Sequence, residues 1–101
     1  NIGGTVVQVL VTVFGDETRE SATGLAAELR AAGIRTELYL QDKNVGKQLN
    51  YADKKGIPLV ALLGTDEIAQ GMVKFKQLSD GEEVTVTRLE AAATIREMLN
   101  V

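Results

Sequence analysis

Met72-Val73-Lys74-Phe75-Lys76-Gln77-Leu78-Ser79-Asp80-Gly81-Glu82-Glu83-Val84-Thr85-Val86 is the stretch on which the fold turns. From Met72 to Leu78 apolar and polar residues alternate, which is the period of a half-buried strand. Ser79-Asp80-Gly81 is too short to carry a crossover, so Glu83 to Val86 must return antiparallel as a hairpin. Everything upstream alternates strand with helix. Leu59 to Leu63 is a short apolar run suited to a buried strand, and Thr65 to Gln70 leaves room for only a turn or two of helix before the hairpin. Val6 to Val13 is nearly continuous and β-branched, which predicts a central parallel strand. From Thr18 to Ala32 the residues Ala22, Leu25, Ala26 and Leu29 repeat at helical spacing, with Gly33 behind them as a stop. Thr36 to Leu40 alternates in the manner of an edge strand. Asn44 is placed to cap a second helix with Val45, Leu49 and Ala52 inward, ended by Gly56-Ile57-Pro58. Downstream of the hairpin, Thr87-Arg88-Leu89-Glu90 fits a capping box that opens a last helix toward Leu99. Right-handed crossovers then predict an α/β fold, a three-layer α/β/α sandwich on a mostly parallel, five-stranded sheet. Residues 1–5 read as a linker remnant and 6–101 as one domain.

Composition limits the chemistry. The 101 residues contain no Cys and no His, which removes disulfides, thiol nucleophiles, zinc fingers and imidazole catalysis. The apolar run from Val6 to Phe14 is too short to span a bilayer and no basic segment precedes it, so a cytoplasmic protein with no membrane partner is expected. The net charge of -3 runs against the electropositive footprint of nucleic-acid binders, but the charge is unevenly spread. From Lys43 to Lys76 there are six basic residues against three acidic, a local +3 that leaves -6 on the remainder.

Gly46-Lys47 lacks the earlier Gly and the following Ser or Thr of a P-loop. Ser21 and Ser79 have no base to activate them. Asp16 and Glu17 suggest the acidic pocket of a receiver domain, but the third strand ends in Leu63-Gly64 where that site needs Asp, and helix N-terminal acids favour the macrodipole in any case. No catalytic residue, metal ligand or cofactor site is assigned to the chain. What converges is polar: Asn44, Lys47, Gln48 and Tyr51 fall on one predicted helix stripe, Lys74 and Lys76 share one face of the alternating strand, and Glu67 sits in the turn before it. On pattern alone a solvated helix face and an edge guarded by Lys are the default reading of these residues.

Gly46-Lys47-Gln48-Leu49-Asn50-Tyr51-Ala52-Asp53-Lys54-Lys55-Gly56-Ile57-Pro58 closely resembles the second helix and following strand of the C-terminal domain of bacterial-type histidyl-tRNA synthetases. Ala31-Ala32-Gly33-Ile34-Arg35-Thr36-Glu37 is similar to that family's helix-to-strand turn, Gly64-Thr65-Asp66-Glu67 with Gly71-Met72-Val73-Lys74 to its Gly-x-x-Glu turn and fourth strand, and Asp80-Gly81-Glu82-Glu83 to its hairpin. The resemblance covers nearly the whole chain. It implies a five-stranded mixed sheet with the fourth strand antiparallel to the rest, receiving the anticodon loop of a tRNA. It also implies a histidine–tRNA ligase as the parent enzyme, with a catalytic core upstream that uses ATP with magnesium and a homodimeric assembly. Carried over residue by residue, Glu67 matches the acidic residue of the turn, Lys76 matches a basic position where a relative has Arg, and Asp42 stands where a sibling branch uses Asn. The implied contact set is Asp42, Lys43, Asn44, Lys47, Gln48, Tyr51, Glu67, Lys74 and Lys76. Glu67 would read a base edge, while Lys43, Lys47, Lys74 and Lys76 would hold phosphates. Relatives that regulate histidine biosynthesis or sit in stress-sensing kinases form the alternative, a regulatory or sensor module that does not aminoacylate. A flavodoxin-like or receiver domain is a third reading.

Overall fold

The structure is a computed structural model that describes residues 7–41 and 43–101. The predicted linker remnant 1–5 lies outside the described residues. In chain order the elements are β1 (Val9–Val11), α1 (Asp16–Ala31), β2 (Thr36–Leu38), α2 (Val45–Lys55), β3 (Leu59–Leu62), α3 (Thr65–Gln70), β4 (Met72–Gln77), β5 (Glu83–Thr87), a 3-10 turn (Arg88–Glu90) and α4 (Ala91–Leu99).

The sheet order is β2-β1-β3-β4-β5, with β1 parallel to both β2 and β3, and β4 antiparallel to both β3 and β5. β4 therefore runs against the other four, as the hairpin required. Alternation along β1 sends side chains into two cores. Val9 and Val11 join Leu25, Ala26 and Leu29 of α1, Ala91 and Ile95 of α4, and Val73 and Phe75 of β4. Leu10 turns the other way, with Val60 of β3, and meets Ala52 of α2 and Ile57. Burial on both faces is why the β1 segment reads as an unbroken apolar run. Each large side chain buried here, Phe75 and Leu10 among them, contributes about 1.5–3 kcal/mol.

The two faces are covered unequally. A helix is about 10 Å across, whereas five strands at about 4.8 Å spacing make a face roughly 20 Å wide. Among the described residues α2 is alone on its face, and the half of the sheet made by β4 and β5 has no helix over it. On the opposite face the 3-10 turn is tied to α1 by one side chain. Arg88 donates through Nε and Nη2 to the two carboxylate oxygens of Glu28, at 3.0 and 3.2 Å, and through Nη1 and Nη2 to the Ser21 hydroxyl and carbonyl, at 2.9 and 3.2 Å. A Cβ at Gly24 would stand 3.1 Å from Arg88 Nη2, so a small residue there lets the guanidinium lie along α1.

Element ends differ from expectation for identifiable reasons. Among the described residues the first strand covers Val9–Val11, short of the expected end at Val13, and Val6 lies outside the described residues. Thr12 stays buried with its N–H and hydroxyl both donating to the Ala61 carbonyl, at 3.1 and 2.8 Å, while Val13 bonds to a side chain instead of a strand. The first helix begins at Asp16, ahead of Thr18, with Gly15 before it at a φ of 151°, a conformation that favours glycine. Thr18 then works from inside the first turn, its hydroxyl accepting from the Phe14 N–H at 2.9 Å. The edge strand stops at Leu38, and Leu40 is left exposed. The Thr87 and Glu90 pairing forms, but the turn it opens is 3-10 before α4 begins.

Candidate nucleic-acid interface

Where β1 and β3 end, the chain turns outward at a rim, and a buried glutamine organises it. Gln48 on the first turns of α2 is wholly buried. Its Oε1 accepts from the Val13 N–H at 2.9 Å, and its Nε2 donates to the carbonyls of Val13 at 2.7 Å and Lys43 at 2.9 Å. The sequence reading placed Gln48 on a solvent-facing contact stripe; the structure corrects this. A strand that leaves its ladder at Val13 needs partners for both main-chain groups, and a primary amide supplies a donor and an acceptor together. Asn44 caps α2 as predicted, its Oδ1 accepting from the Lys47 N–H at 2.9 Å. Asp42 lies outside the described residues.

Above Gln48, exposed Lys43 and Asn44 line a depression of about 220 Å³ with Phe14, Gly15, Arg19 and Gln41. Phe14 is 43% exposed, and the sequence reading counts it only as the end of an apolar run, outside the contact set. The available signal was an aromatic followed by Gly15 at a strand end, in a chain with only four aromatic residues. Phe14 rests close to Gly64: a Cβ at Gly64 would stand 3.6 Å from Phe14 Cδ2 and 2.9 Å from Glu67 Oε1. The ring and the carboxylate thus flank one glycine. Glu67, half-buried at the start of α3, accepts the Gly64 N–H at 2.9 Å and so caps that helix from within.

The rim continues onto the uncovered half of the sheet. Leu62 pairs with Lys74 and Val60 with Lys76, so both lysines lie on the face that carries α2, while Val73 and Phe75 are buried on the other. That much of the predicted lysine surface is observed. Lys47 is not part of it. Lys47, Tyr51 and Lys55 are four apart and share one flank of α2. On that flank the Tyr51 hydroxyl donates to the Glu37 carboxylate of β2, the Tyr39 and Tyr51 rings meet edge to face at 5.4 Å, and Lys55 Nζ is 3.8 Å from Glu37 Oε1. The flank therefore faces the β2 edge, three strand steps or roughly 14 Å from β4. The expected single patch of Lys47, Lys74 and Lys76 is divided, because the line of α2 that packs inward passes through Gln48 and Ala52 and sends its two sides to opposite edges of the sheet.

The Tyr51 environment has a measurable signature. The hydrogen bond to Glu37, with burial second, raises the Tyr51 phenol above its ordinary value of 10.0. The bond to Tyr51 is likewise the main reason that Lys55 is raised. The folded state thus favours the neutral phenol, and this contribution is complete below pH 10 and is lost as pH rises through the raised value. Tyr39 and Tyr51 are the two tyrosines of the chain. In a Tyr39→Phe background, phenolate absorbance should give a Tyr51 midpoint above 10, and Glu37→Gln should move it down. An unchanged midpoint in the Gln variant would refute the assigned cause.

Among the described residues there is no group of three or more Cys, His, Asp or Glu that could hold a metal ion, and no helix long and apolar enough to cross a membrane.

Residues 8–98 match the family model described as the anticodon binding domain. The chain is 39% identical over 95 residues to a histidine–tRNA ligase of Stenotrophomonas maltophilia, a match covering 94% of this chain and 20% of that protein. It is 47% identical over 85 residues to a histidine–tRNA ligase of Paracoccus denitrificans, covering 82% of this chain and 17% of that protein. The crystal structure of histidyl-tRNA synthetase from Nostoc sp. PCC 7120 superimposes with a TM-score of 0.91 at 33% identity, over 94% of this chain and 23% of that one. The chain therefore spans about a fifth of the length of the curated relatives it matches.

Proposed function

Because the chain belongs to the anticodon-binding-domain family, we propose that it is the tRNA-reading domain of a histidine–tRNA ligase, binding the anticodon loop and doing no chemistry of its own. One observation carries this: an exposed aromatic ring and a carboxylate flank Gly64 at the rim, and the same surface runs on to Lys74 and Lys76. Anticodon bases are unpaired, so they can splay out and offer both a π-face and a Watson–Crick edge. The Phe14 ring is a platform for the face. Glu67 uses one lone pair on the Gly64 N–H and keeps acceptor capacity for the adjacent N1–H and N2–H of a guanine. Lys74, Lys76, Lys43 and Arg19 supply phosphate attraction without sequence information. Gln48 touches no RNA in this scheme and instead fixes Val13 and Lys43 relative to one another.

The proposal extends to the longer protein. Its catalytic core, outside this chain, would activate histidine with ATP and magnesium and transfer it to the tRNA, in the cytoplasm and as a homodimer. The relatives named above are histidine–tRNA ligases, and no finding favours a regulatory or sensor module.

Anisotropy titration of a labelled histidine anticodon stem-loop, beside one with its anticodon bases exchanged, tests the reading. The cognate loop should bind more tightly. Phe14→Ala should weaken it by about 1–3 kcal/mol, the usual worth of one stacked base. It should lower the melting temperature by only a few degrees, because the ring is 43% exposed and contributes part of the burial of a core Phe. Equal binding of both loops by the wild type would defeat the proposal.

A further inference from the structure

Glu83 is the one acidic residue of β5, and it faces the two lysines of the uncovered sheet. It pairs directly with Lys76 in the β4–β5 ladder and lies diagonal to Lys74. Its Oε2 is 3.9 Å from Lys76 Nζ and its Oε1 is 3.9 Å from Lys74 Nζ, so one carboxylate spans both ammonium groups. At that distance neither contact is a hydrogen bond. The three side chains are 31–46% exposed, which makes the arrangement loose and open to exchange with a solution anion.

We propose that Glu83 is an electrostatic brake on RNA binding: its carboxylate stands where a backbone phosphate would sit, and every phosphate that reaches Lys74 and Lys76 must first displace it. The inference rests on the tRNA-reading function proposed above. Without Glu83 the two lysines would add their full attraction for any polyanion, cognate or not. With it, they contribute only the excess of phosphate over carboxylate, so occupancy depends on the contacts that recognise bases, at Phe14 and Glu67. Displacing a tethered carboxylate also releases no free counterion, which blunts the salt dependence of the lysines.

The brake and a base-reading role for Glu83 predict opposite results. Using the full-length protein that carries this domain, cognate and anticodon-exchanged stem-loops are titrated across a salt series against wild type, Glu83→Gln and the double variant Lys76→Gln/Glu83→Gln. The brake predicts that Glu83→Gln tightens both loops by about two- to fivefold at low salt, the range that surface ion pairs span. The slope of log affinity on log salt should steepen by up to about 0.7, the value of one phosphate contact on a single strand. The double variant should return affinity toward wild type, which also shows that the Gln protein is folded and competent. Weaker cognate binding in Glu83→Gln would make Glu83 a reader, and unchanged binding would make it inert; either overturns the brake. Wild type that prefers neither loop removes the underlying function instead, an outcome visible before any variant is made.

Discussion

Gln48→Ala is expected to lower the melting temperature by roughly 15 °C, corresponding to about 3 kcal/mol for a domain of this size. Three main-chain groups depend on this amide: the N–H and carbonyl of Val13 and the carbonyl of Lys43. Truncation leaves them buried or half-buried without their partner, at about 1–3 kcal/mol for each group that water cannot reach, and vacates the space of a wholly buried side chain. Water entering from the rim offsets part of this, which keeps the estimate near the lower end of the sum. Gln48→Glu should fare no better, because a carboxylate has no donor for the two carbonyls that Nε2 serves. Thermal or urea unfolding followed by circular dichroism measures the change. A loss below about 1 kcal/mol in Gln48→Ala would mean that the rim holds together without the amide. Binding of the anticodon loop should weaken alongside stability, although Gln48 makes no contact with RNA in the proposed complex.

The second large effect separates charge from recognition. Lys74→Ala with Lys76→Ala should weaken cognate and exchanged stem-loops alike and reduce the salt slope by about 0.7, the share of one phosphate contact, because Glu83 already offsets the other lysine. Glu67→Gln should do the reverse. The amide oxygen still accepts the Gly64 N–H, so the cap on α3 survives, whereas Glu67→Ala would also remove the cap at about 1 kcal/mol. What Gln loses is the second acceptor for a guanine edge, with an N–H₂ group set against the base donors in its place. Preference for the cognate loop should then fall by about 1–3 kcal/mol with the salt slope unaltered. One salt series on both loops records all of this. Should Glu67→Gln keep its preference, Glu67 is a helix cap and nothing more.

The fold was legible because its signals are local. An interrupted apolar run, a three-residue link at Ser79 to Gly81 and two helix-to-strand turns are enough to fix the order of elements, and handedness then places β2 outside β1. The site was legible only where side-chain direction follows from strand period, as at Lys74 and Lys76. Gln48 was misplaced because helical periodicity sorts residues by polarity, and polarity cannot tell a solvated amide from one that completes a strand's hydrogen bonds 35 residues away. The same blind spot put Lys47 beside Lys74. A helical wheel gives the stripe, but only the contact between Tyr51 and Glu37 settles which edge of the sheet that stripe faces. Phe14 escaped for a different reason: it continues the apolar run that ends in buried Val13, and the one mark that sets it apart is the Gly15 that follows it.

With one helix covering only half of its face, this domain carries an open sheet surface on β4 and β5 that its core packing does not depend on. Phe75 cannot change without repacking α1 and α4, but Lys74, Lys76, Glu83 and Thr85 have no helix over them to be repacked. Substitutions at such positions usually shift stability by no more than about 0.5 kcal/mol. A lineage can therefore revise the charge and shape of this surface, one β4 or β5 residue at a time, and each intermediate still folds.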